Sequence, residues 1–552
     1  MCIRIGAIKM NNYVQASIFD AITDEPVIST IPNYQICLPI AESIDCEKFS
    51  TYNLAKYKDD IETIGLEKTW NGIISVTLNG KHNQFLNIDN FAELYEIGLA
   101  LQDKYAKKES GQYYTPDDVA IVMAKWLDKL QGENICDVAC GTGKLILTYL
   151  NIIGYEKARS LLAKGSVYLY DNDKTALTIC KTILVCKYGK EIESSIHAVY
   201  GDFLSKNLIL PQNCKVISNP PYVGVCNLPQ TWNNSKVASS TKELYAIFME
   251  KIIQQSRCSV IITPYSFLGG NKFLSLRKEL NHHTGFVISF DNVPGNIFCG
   301  RKHGIFNTNI ANSVRAAITV VEDDNVTKGF RMTPLIRFKN EERVRLLQND
   351  VLESFIDDSY QLVSDTNPMY NRCFKSLRGV WDKWMSISAR ALKYYIDDNG
   401  EYTLSMPNTC RYFTTAASGR MNRNGQIILS FSDKHVYNYI FCLINSSFVY
   451  WYWRNYDGGI TYPKGLLLNL PVFFDKLTDE DKRFFDNMTL NMIKRASQFT
   501  VTKNNIGVQE NIKYPRRYRD KINRKLLNIL ECNISEKEFD IIHSNMALKV
   551  NI

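Results

Sequence analysis

Between residues 134 and 290, short apolar runs recur at Asn134–Val138, Ser166–Tyr170, Ile196–Tyr200, Lys215–Ser218, Ser259–Thr263 and Gly285–Phe290, with helix-like stretches between them. Runs of this length alternating with helical segments predict parallel strands joined by crossover helices, and hence one parallel sheet with helices on both faces. Just upstream, Phe91, Leu94, Tyr95 and Leu99 fall on one face of a helix over residues 90–107. Residues 1–88 mix β-type runs, such as 72–78, with turn signals such as Asn79-Gly80, and carry no motif that assigns a role. After about Thr333 the alternation is lost, and an aromatic-rich, irregular stretch leads to a basic helical tail. The longest apolar stretch, Val436 to Trp453, is interrupted by Asn438, Asn445, Ser446 and Ser447. That predicts a buried core element rather than a membrane span.

The length of 552 residues is a prior for three or four domains. A content of 45% apolar and 22% charged residues excludes a mainly disordered or fibrous chain. The net charge of +8 names no partner by itself, but it is unevenly spread. Residues 1–107 sum to −5, residues 108–335 to +6 and residues 336–552 to +7, so a polyanion is expected to meet the last two-thirds. The 15 cysteines are scattered from Cys2 to Cys532 without a C-x2-C pair or paired histidines to follow. This argues for reduced thiols in a cytoplasmic protein and against a structural zinc site. The opening MCIRIGAIKMNN has too short an apolar run for a secretory signal, so neither a targeting segment nor a membrane is expected.

Four sites at strand ends carry the chemistry. Asp137-Val-Ala-Cys-Gly-Thr-Gly143 follows the first strand and opens a helical run. Glycines at such a turn let backbone approach a ligand, and the helix start offers free N–H groups, so a nucleotide-like molecule is expected there. A phosphate-binding loop fits poorly, because Lys144 precedes Leu145 instead of Ser or Thr, and Val138 stands where the first glycine belongs. The second strand ends Tyr170-Asp-Asn-Asp173. Asp171 there can accept hydrogen bonds from ribose hydroxyls, while either aspartate could instead cap the next helix. The third strand ends Gly201-Asp-Phe203, where a carboxylate and a ring could grip a purine, or simply form a turn.

After the fourth strand comes Ser218-Asn-Pro-Pro-Tyr222. Pro220 and Pro221 remove two donors and fix φ, which stiffens the loop. An exocyclic amine on an aromatic ring is a poor nucleophile because its lone pair is delocalised. The Asn219 side-chain oxygen and the Pro220 carbonyl are two acceptors that can localise that pair, and Tyr222 offers a ring for a planar base.

With these motifs in this order, and Gly111-Gln-Tyr-Tyr-Thr-Pro116 upstream of the glycine turn, the chain resembles the S-adenosylmethionine-dependent adenine-N6 DNA methyltransferases of restriction-modification systems, in their gamma arrangement. Leu244–Glu250 and Phe273–Lys278 look like later motifs of that family, and Val138 departs from its usual proline. The resemblance implies a Rossmann-like α/β domain with a mostly parallel sheet at 90–335, an α+β target-recognition domain at 336–480, a basic helical segment at 481–552 and a small N-terminal region at 1–89. It also implies cofactor contacts from Tyr114, Thr115, Asp137, Ala139, Cys140, Gly141, Gly143, Asp171, Asn172, Asp202 and Phe203. Asn219, Pro220, Pro221 and Tyr222 would act on an adenine flipped out of double-stranded DNA, with no metal required.

In the second half, Ala417–Gly425 presents Arg420, Asn422 and Arg423 on a turn, side chains suited to base edges or to a solvated hairpin. Leu443–Phe448 and Tyr462–Leu466 weakly resemble target-recognition segments of the same family. Residues 513–525 set seven basic side chains, Arg516, Arg517 and Arg519 among them, against Asp520, suiting either phosphate contact or a charged helix face. No nuclease arrangement of carboxylates and lysine stands out, so methylation without cleavage is expected, any restriction endonuclease being encoded separately. RNA or protein-glutamine methylation, and a modification subunit that needs a separate specificity partner, stay open as alternatives.

Overall fold

The computed structural model describes residues 115–226, 232, 235–298, 302–303, 306–307, 314–323, 327–388, 390–410, 412–504 and 508–543. The expected strand at 72–78, the helix at 90–107 and Tyr114 lie outside them. The chain divides into two compact units, Met1–Pro264 with Asn296–Asp323, and Tyr265–Gly295 with Asp324–Ile552.

In the first unit α1 (Asp117–Lys129), β1 (Asn134–Val138), α2 (Lys144–Ile153), β2 (Val167–Asp171), α3 (Lys174–Tyr188), β3 (His197–Tyr200), β4 (Cys214–Ser218), α4 (Leu244–Gln255) and β5 (Cys258–Pro264) follow one another. β6 (Thr284–Phe290) belongs to the second unit, and β7 (Ala316–Glu322) returns to the first. The first unit's strands run in the order β7-β5-β4-β1-β2-β3. β1 to β5 are parallel, and β7 is antiparallel to β5. The sheet is therefore mostly parallel, as the resemblance implies. The first six residues of β7 are all buried, and such a run reads alike in either direction.

Every residue of β4 is buried, Lys215 included. Its ammonium donates to the Leu127 and Leu130 carbonyls, at 3.0 and 3.2 Å, where α1 ends and carbonyls lack helical partners. A charge that would be costly alone is thereby placed at the negative end of a helix. Burial still pulls its pKa below the ordinary lysine value.

The second unit is more regular than the loss of alternation after Thr333 predicts. β8 (Gly329–Met332) pairs parallel to β6, and β9 (Asp357–Gln361) antiparallel to β8. After α5 (Arg378–Ile387), strands β10 (Tyr402–Pro407), β11 (Ala417–Ser418) and β12 (Gln426–Phe431) form an antiparallel sheet with β10 central. Then come α6 (Lys434–Ile444), α7 (Ser447–Tyr456), α8 (Asp479–Lys494), the hairpin β13 (Thr500–Asn504) and β14 (Val508–Ile512), and α9 (Arg516–Ile529). The unit is thus mixed α and β.

The stretch from Val436 to Trp453 is two helices, buried on every side as an all-round apolar pattern requires. The polar residues that interrupt it make the joint. The Asn445 side chain accepts from the Ala416 amide at 3.0 Å and donates to the Phe441 carbonyl at 2.9 Å. The Ser446 hydroxyl accepts from the Phe448 amide at 3.1 Å, capping α7. Trp381 and Trp384 of α5 pack against Trp451 with ring centroids 4.9 and 6.1 Å apart. No helix among the described residues is long and apolar enough to cross a membrane.

Candidate active site at the carboxyl ends of the strands

The strand order places β1 between β2 and β4, so the chain winds outward to β3 on one side and to β5 on the other. At such a switch point the loops leaving neighbouring strands diverge, and the crevice outside their carboxyl ends is where open α/β sheets take ligands. Register makes those ends level, because Val138 lies opposite both Ser218 and Tyr170. The loop after β1 is the glycine turn and the loop after β4 holds Asn219-Pro-Pro-Tyr222. The Ser218 hydroxyl donates to the Val138 carbonyl at 2.6 Å and ties their roots together.

Three residues of the glycine turn have positive φ: Ala139 at 59°, Gly141 at 52° and Gly143 at 91°. Ala139 is unexpected there, since a Cβ disfavours that region. The turn is pinned by two carboxylates. Asp137, fully buried, accepts from the Ile146 amide in the first turn of α2 at 3.0 Å. Its other oxygen is buried without a hydrogen-bond partner among the described residues. Burial raises its pKa well above the ordinary range, the Ile146 amide opposes this, and the nearby Asp171 adds to it.

Asp171 accepts from the Gly141 amide at 2.7 Å and the Asp173 amide at 2.8 Å. Burial raises its pKa, partly offset by those N–H groups. Asp173 is the helix-capping aspartate, accepting from the Ala176 amide at 3.0 Å. The structure thus gives the helix cap to Asp173 and leaves Asp171, the aspartate the sequence favoured for the ligand, at the turn. Asn172 is exposed beside them.

In the loop after β3, Asp202 is exposed and accepts from the Leu204 amide at 2.9 Å. Phe203 is only 3% exposed, its ring lying against Tyr170, Phe248 and the Lys251 ammonium. With its faces so covered, Phe203 shapes the loop more than it offers an open ring. Lys251, in α4, donates to the carbonyls of Phe203, Ser205 and Leu208 at 2.5, 2.8 and 2.6 Å. Burial lowers its pKa to about 8, against the pull of Asp202. No motif marked Lys251. Only its place directly after Leu244–Glu250 could have drawn notice.

At the fourth strand, the Asn219 side-chain amide donates to the Thr115 hydroxyl oxygen at 2.9 Å, joining residues 104 apart in sequence. The Tyr222 hydroxyl donates to the Ile262 carbonyl at 3.0 Å. Its ring meets those of Tyr245 and Phe298 edge-on at 6.2 and 5.9 Å. Tyr245 and Phe298 are aromatic neighbours that the pattern of the strand ends did not single out. Thr115, Asp137, Ala139, Cys140, Gly141, Gly143, Asp171, Asn172, Asp202, Phe203 and Asn219–Tyr222 thus gather in loops of one sheet or beside them.

The residues considered for nucleic acid lie in the second unit. Arg420 and Arg517 are exposed, with no ion-pair partner among the described residues. The Asn422 amide donates to the Glu510 carboxylate at 2.6 Å, and the Arg423 guanidinium donates to the Asn511 side chain at 2.5 Å, so their turn is stapled to β14. Arg516 pairs with Asp520 and Asp540, and Arg519 with Asp540.

Residues 86–316 match the family described as N-6 DNA Methylase. Over 191 residues it is 26% identical to the type I restriction enzyme MpnII methylase subunit of Mycoplasma pneumoniae, covering 32% of this chain and 33% of that protein. Over 229 residues it is 25% identical to the type I restriction enzyme EcoEI methylase subunit of Escherichia coli, covering 39% and 45%. The matches span a third to under half of these curated relatives. Among solved structures, a nuclease-deletion mutant of the type ISP restriction-modification enzyme LlaGI with a DNA substrate mimic is 12% identical, with 87% of this chain and 54% of that one covered at a TM-score of 0.46.

Proposed function

We propose that this chain transfers a methyl group from S-adenosylmethionine to the N6 amino group of an adenine flipped out of double-stranded DNA, as the modification activity of a restriction-modification system. The observation that carries the reading is the loop Asn219–Tyr222, level with and bonded to the root of the glycine turn across the switch point of a parallel sheet. The site's donor set suits this cofactor. Asp171 and the exposed Asp202 can accept from ribose and purine, and positive-φ residues shape the neighbouring turn after β1. The unpartnered oxygen of buried Asp137 is a place where a nearby positive charge reduces the cost of ionisation. When bound, the cofactor supplies an electrophilic methyl on a sulfonium. Asn219 and Pro220 present acceptors to the amine's hydrogens, Tyr222 holds the base plane, and positioning with charge localisation supplies most of the rate.

Residues 90–335 are proposed as the catalytic domain, 336–480 as the target-recognition domain and 481–552 as a basic segment meeting DNA phosphates. A second reading, a modification subunit that needs a separate specificity partner, is favoured by the curated relatives, which are named as methylase subunits. Transfer of tritiated methyl by the purified chain to duplex DNA, RNA and protein tests both. Label in DNA adenine that disappears in Asn219→Ala, with cofactor binding retained, supports the first. Label only after a specificity subunit is added supports the second, and label confined to RNA or protein refutes DNA as substrate.

A further inference from the structure

We propose that a small cavity beside α7, within the second unit, binds a halide-sized monoanion on the Arg454 guanidinium, independently of the methyl-transfer chemistry. Arg337, Arg372, Arg454 and Asn455 line it with apolar side chains such as Trp451 and Ile542, and its volume is about 30 Å³. That is room for roughly two water-sized bodies. Ile336 bridges to Phe290 at the end of β6, so Arg337 and Asp291 come next on adjoining segments. Oδ2 of the fully buried Asp291 accepts from the Arg337 Nε and Nη2, each at 3.1 Å, and from the Arg454 Nη2 at 2.8 Å. Two guanidinium groups thus share one carboxylate oxygen. Arg372 brings a third to the cavity, its Nε and Nη2 donating to the carbonyls of Asn455 and Asp457 at 3.1 and 2.9 Å. Arg454 carries the assignment. Its side chain is 9% exposed, and its Nη1 is buried with no hydrogen-bond partner among the described residues. The Tyr450 and Trp453 rings lie 5.9 and 6.0 Å from this guanidinium, at the outer limit of cation–π reach. A buried N–H without an acceptor is costly, and more so on a charged group. Water would satisfy the N–H alone, whereas a small anion answers both the N–H and the charge. A tetrahedral oxyanion, or a phosphate flanked by sugars, exceeds the room.

Hydrogen exchange of α7 peptides in the full chain, with sodium chloride replacing sodium gluconate at constant ionic strength, tests this. Chloride should raise protection saturably, by about tenfold once it stands at about ten times its dissociation constant. Bromide should do the same, while gluconate and sulfate should not. Arg454→Met leaves Asp291 its pair with Arg337 and should abolish the saturable part. Should that variant fail to fold, anomalous scattering from bromide in wild-type crystals decides the matter. A peak within hydrogen-bond distance of the Arg454 Nη1 supports the site, and no peak there at a concentration that saturates protection overturns it. Protection indifferent to the anion, or raised as much by sulfate as by chloride, overturns it as well. So does protection conferred by duplex DNA and by none of the simple anions, which would assign the arginines to a backbone phosphate.

Discussion

Gly143 closes the turn after β1 with φ at +91°, and it has no room for a side chain. A Cβ built there would overlap the sulfur of Cys180 in α3, and would lie 3.2 Å from the Cys180 Cβ and 3.4 Å from a methyl of Ile146. Gly143→Ala therefore meets two separable penalties. Left-handed backbone for a residue with a Cβ costs about 1–2 kcal/mol. Overpacking against a buried thiol adds about 1–3 kcal/mol. Together these take about 2–5 kcal/mol from a domain whose stability is on the order of 5–15 kcal/mol, so the variant should fold but open more readily. Cys180→Ala removes the sulfur without touching the backbone. In the double variant the overlap should vanish and the strain remain, recovering about 1–3 kcal/mol relative to the sum of the single changes. Hydrogen exchange of peptides spanning β1 and α2 reads opening of the first unit separately from the second. Additivity of the two substitutions within about 0.5 kcal/mol would refute the packing argument.

The three carbonyls gathered by Lys251 predict that Lys251→Met releases the loop at 203–208, weakening cofactor binding in calorimetry while the single-turnover rate at saturation holds; unchanged affinity would contradict this. Because burial lowers the Lys251 pKa to about 8, wild-type affinity should fall as pH rises through that value and the ammonium loses a donor, an inflection absent from Lys251→Met. Burial, with Arg519, Arg337 and Arg516 nearby, lowers the His543 pKa to about 3, while its ring bonds the Ser447 hydroxyl and the Tyr412 carbonyl. A depressed folded-state value means that stability present above the unfolded pKa near 6.5 is lost as pH falls toward 3. Urea midpoints followed by Trp381, Trp384, Trp451 and Trp453 fluorescence should show this, and an equal fall in His543→Gln would exclude His543 as its source. In DNA binding, Arg517→Ala should reduce the salt slope by about one phosphate contact. Arg519→Ala, whose guanidinium already pairs with Asp540, should change it less, and equal effects would count against the distinction.

Much of the catalytic fold was legible because its signals are local. Each of the six apolar runs became a strand within a residue or two of its expected bounds, since a strand buried on both faces needs continuous apolar sequence, though β3 at the sheet edge is only partly buried. The level placement of the glycine turn and the Asn219 loop then follows from parallel pairing. What escaped depends on partners remote in sequence. The direction of β7 is set by the strand beside it. The grip of Lys251 on three carbonyls, the Thr115 to Asn219 bond and the fit of Gly143 against Cys180 each join segments that no window of sequence contains. Asp171, the aspartate preferred from the sequence for a ribose, accepts from the Gly141 amide, while the helix-capping alternative falls to Asp173, a split that backbone amides make visible.

The basic tail shows the same limit in electrostatic form, with a consequence for how DNA would be held. Residues 482–525 carry 12 basic and 3 acidic side chains, which as a sequence count looks like a single cationic surface. In the folded unit Arg516 and Arg519 pair with Asp540, Arg524 with Glu536 and Lys525 with Asp481. Two of those three acids, Asp540 and Glu536, lie beyond residue 525 and Asp481 lies just before 482, so a local charge count misses them all. Surface pairs of this kind, exposed as in Arg524–Glu536 or half-buried as in Lys525–Asp481, add little stability, but they do neutralise the field a phosphate would meet. On α9 the exposed cations without an ion-pair partner among the described residues are Arg517 and Lys521, one turn apart and so on one face. A phosphate track along this helix should therefore depend on that narrow face, and substituting the paired arginines should change DNA binding less than substituting Arg517 or Lys521.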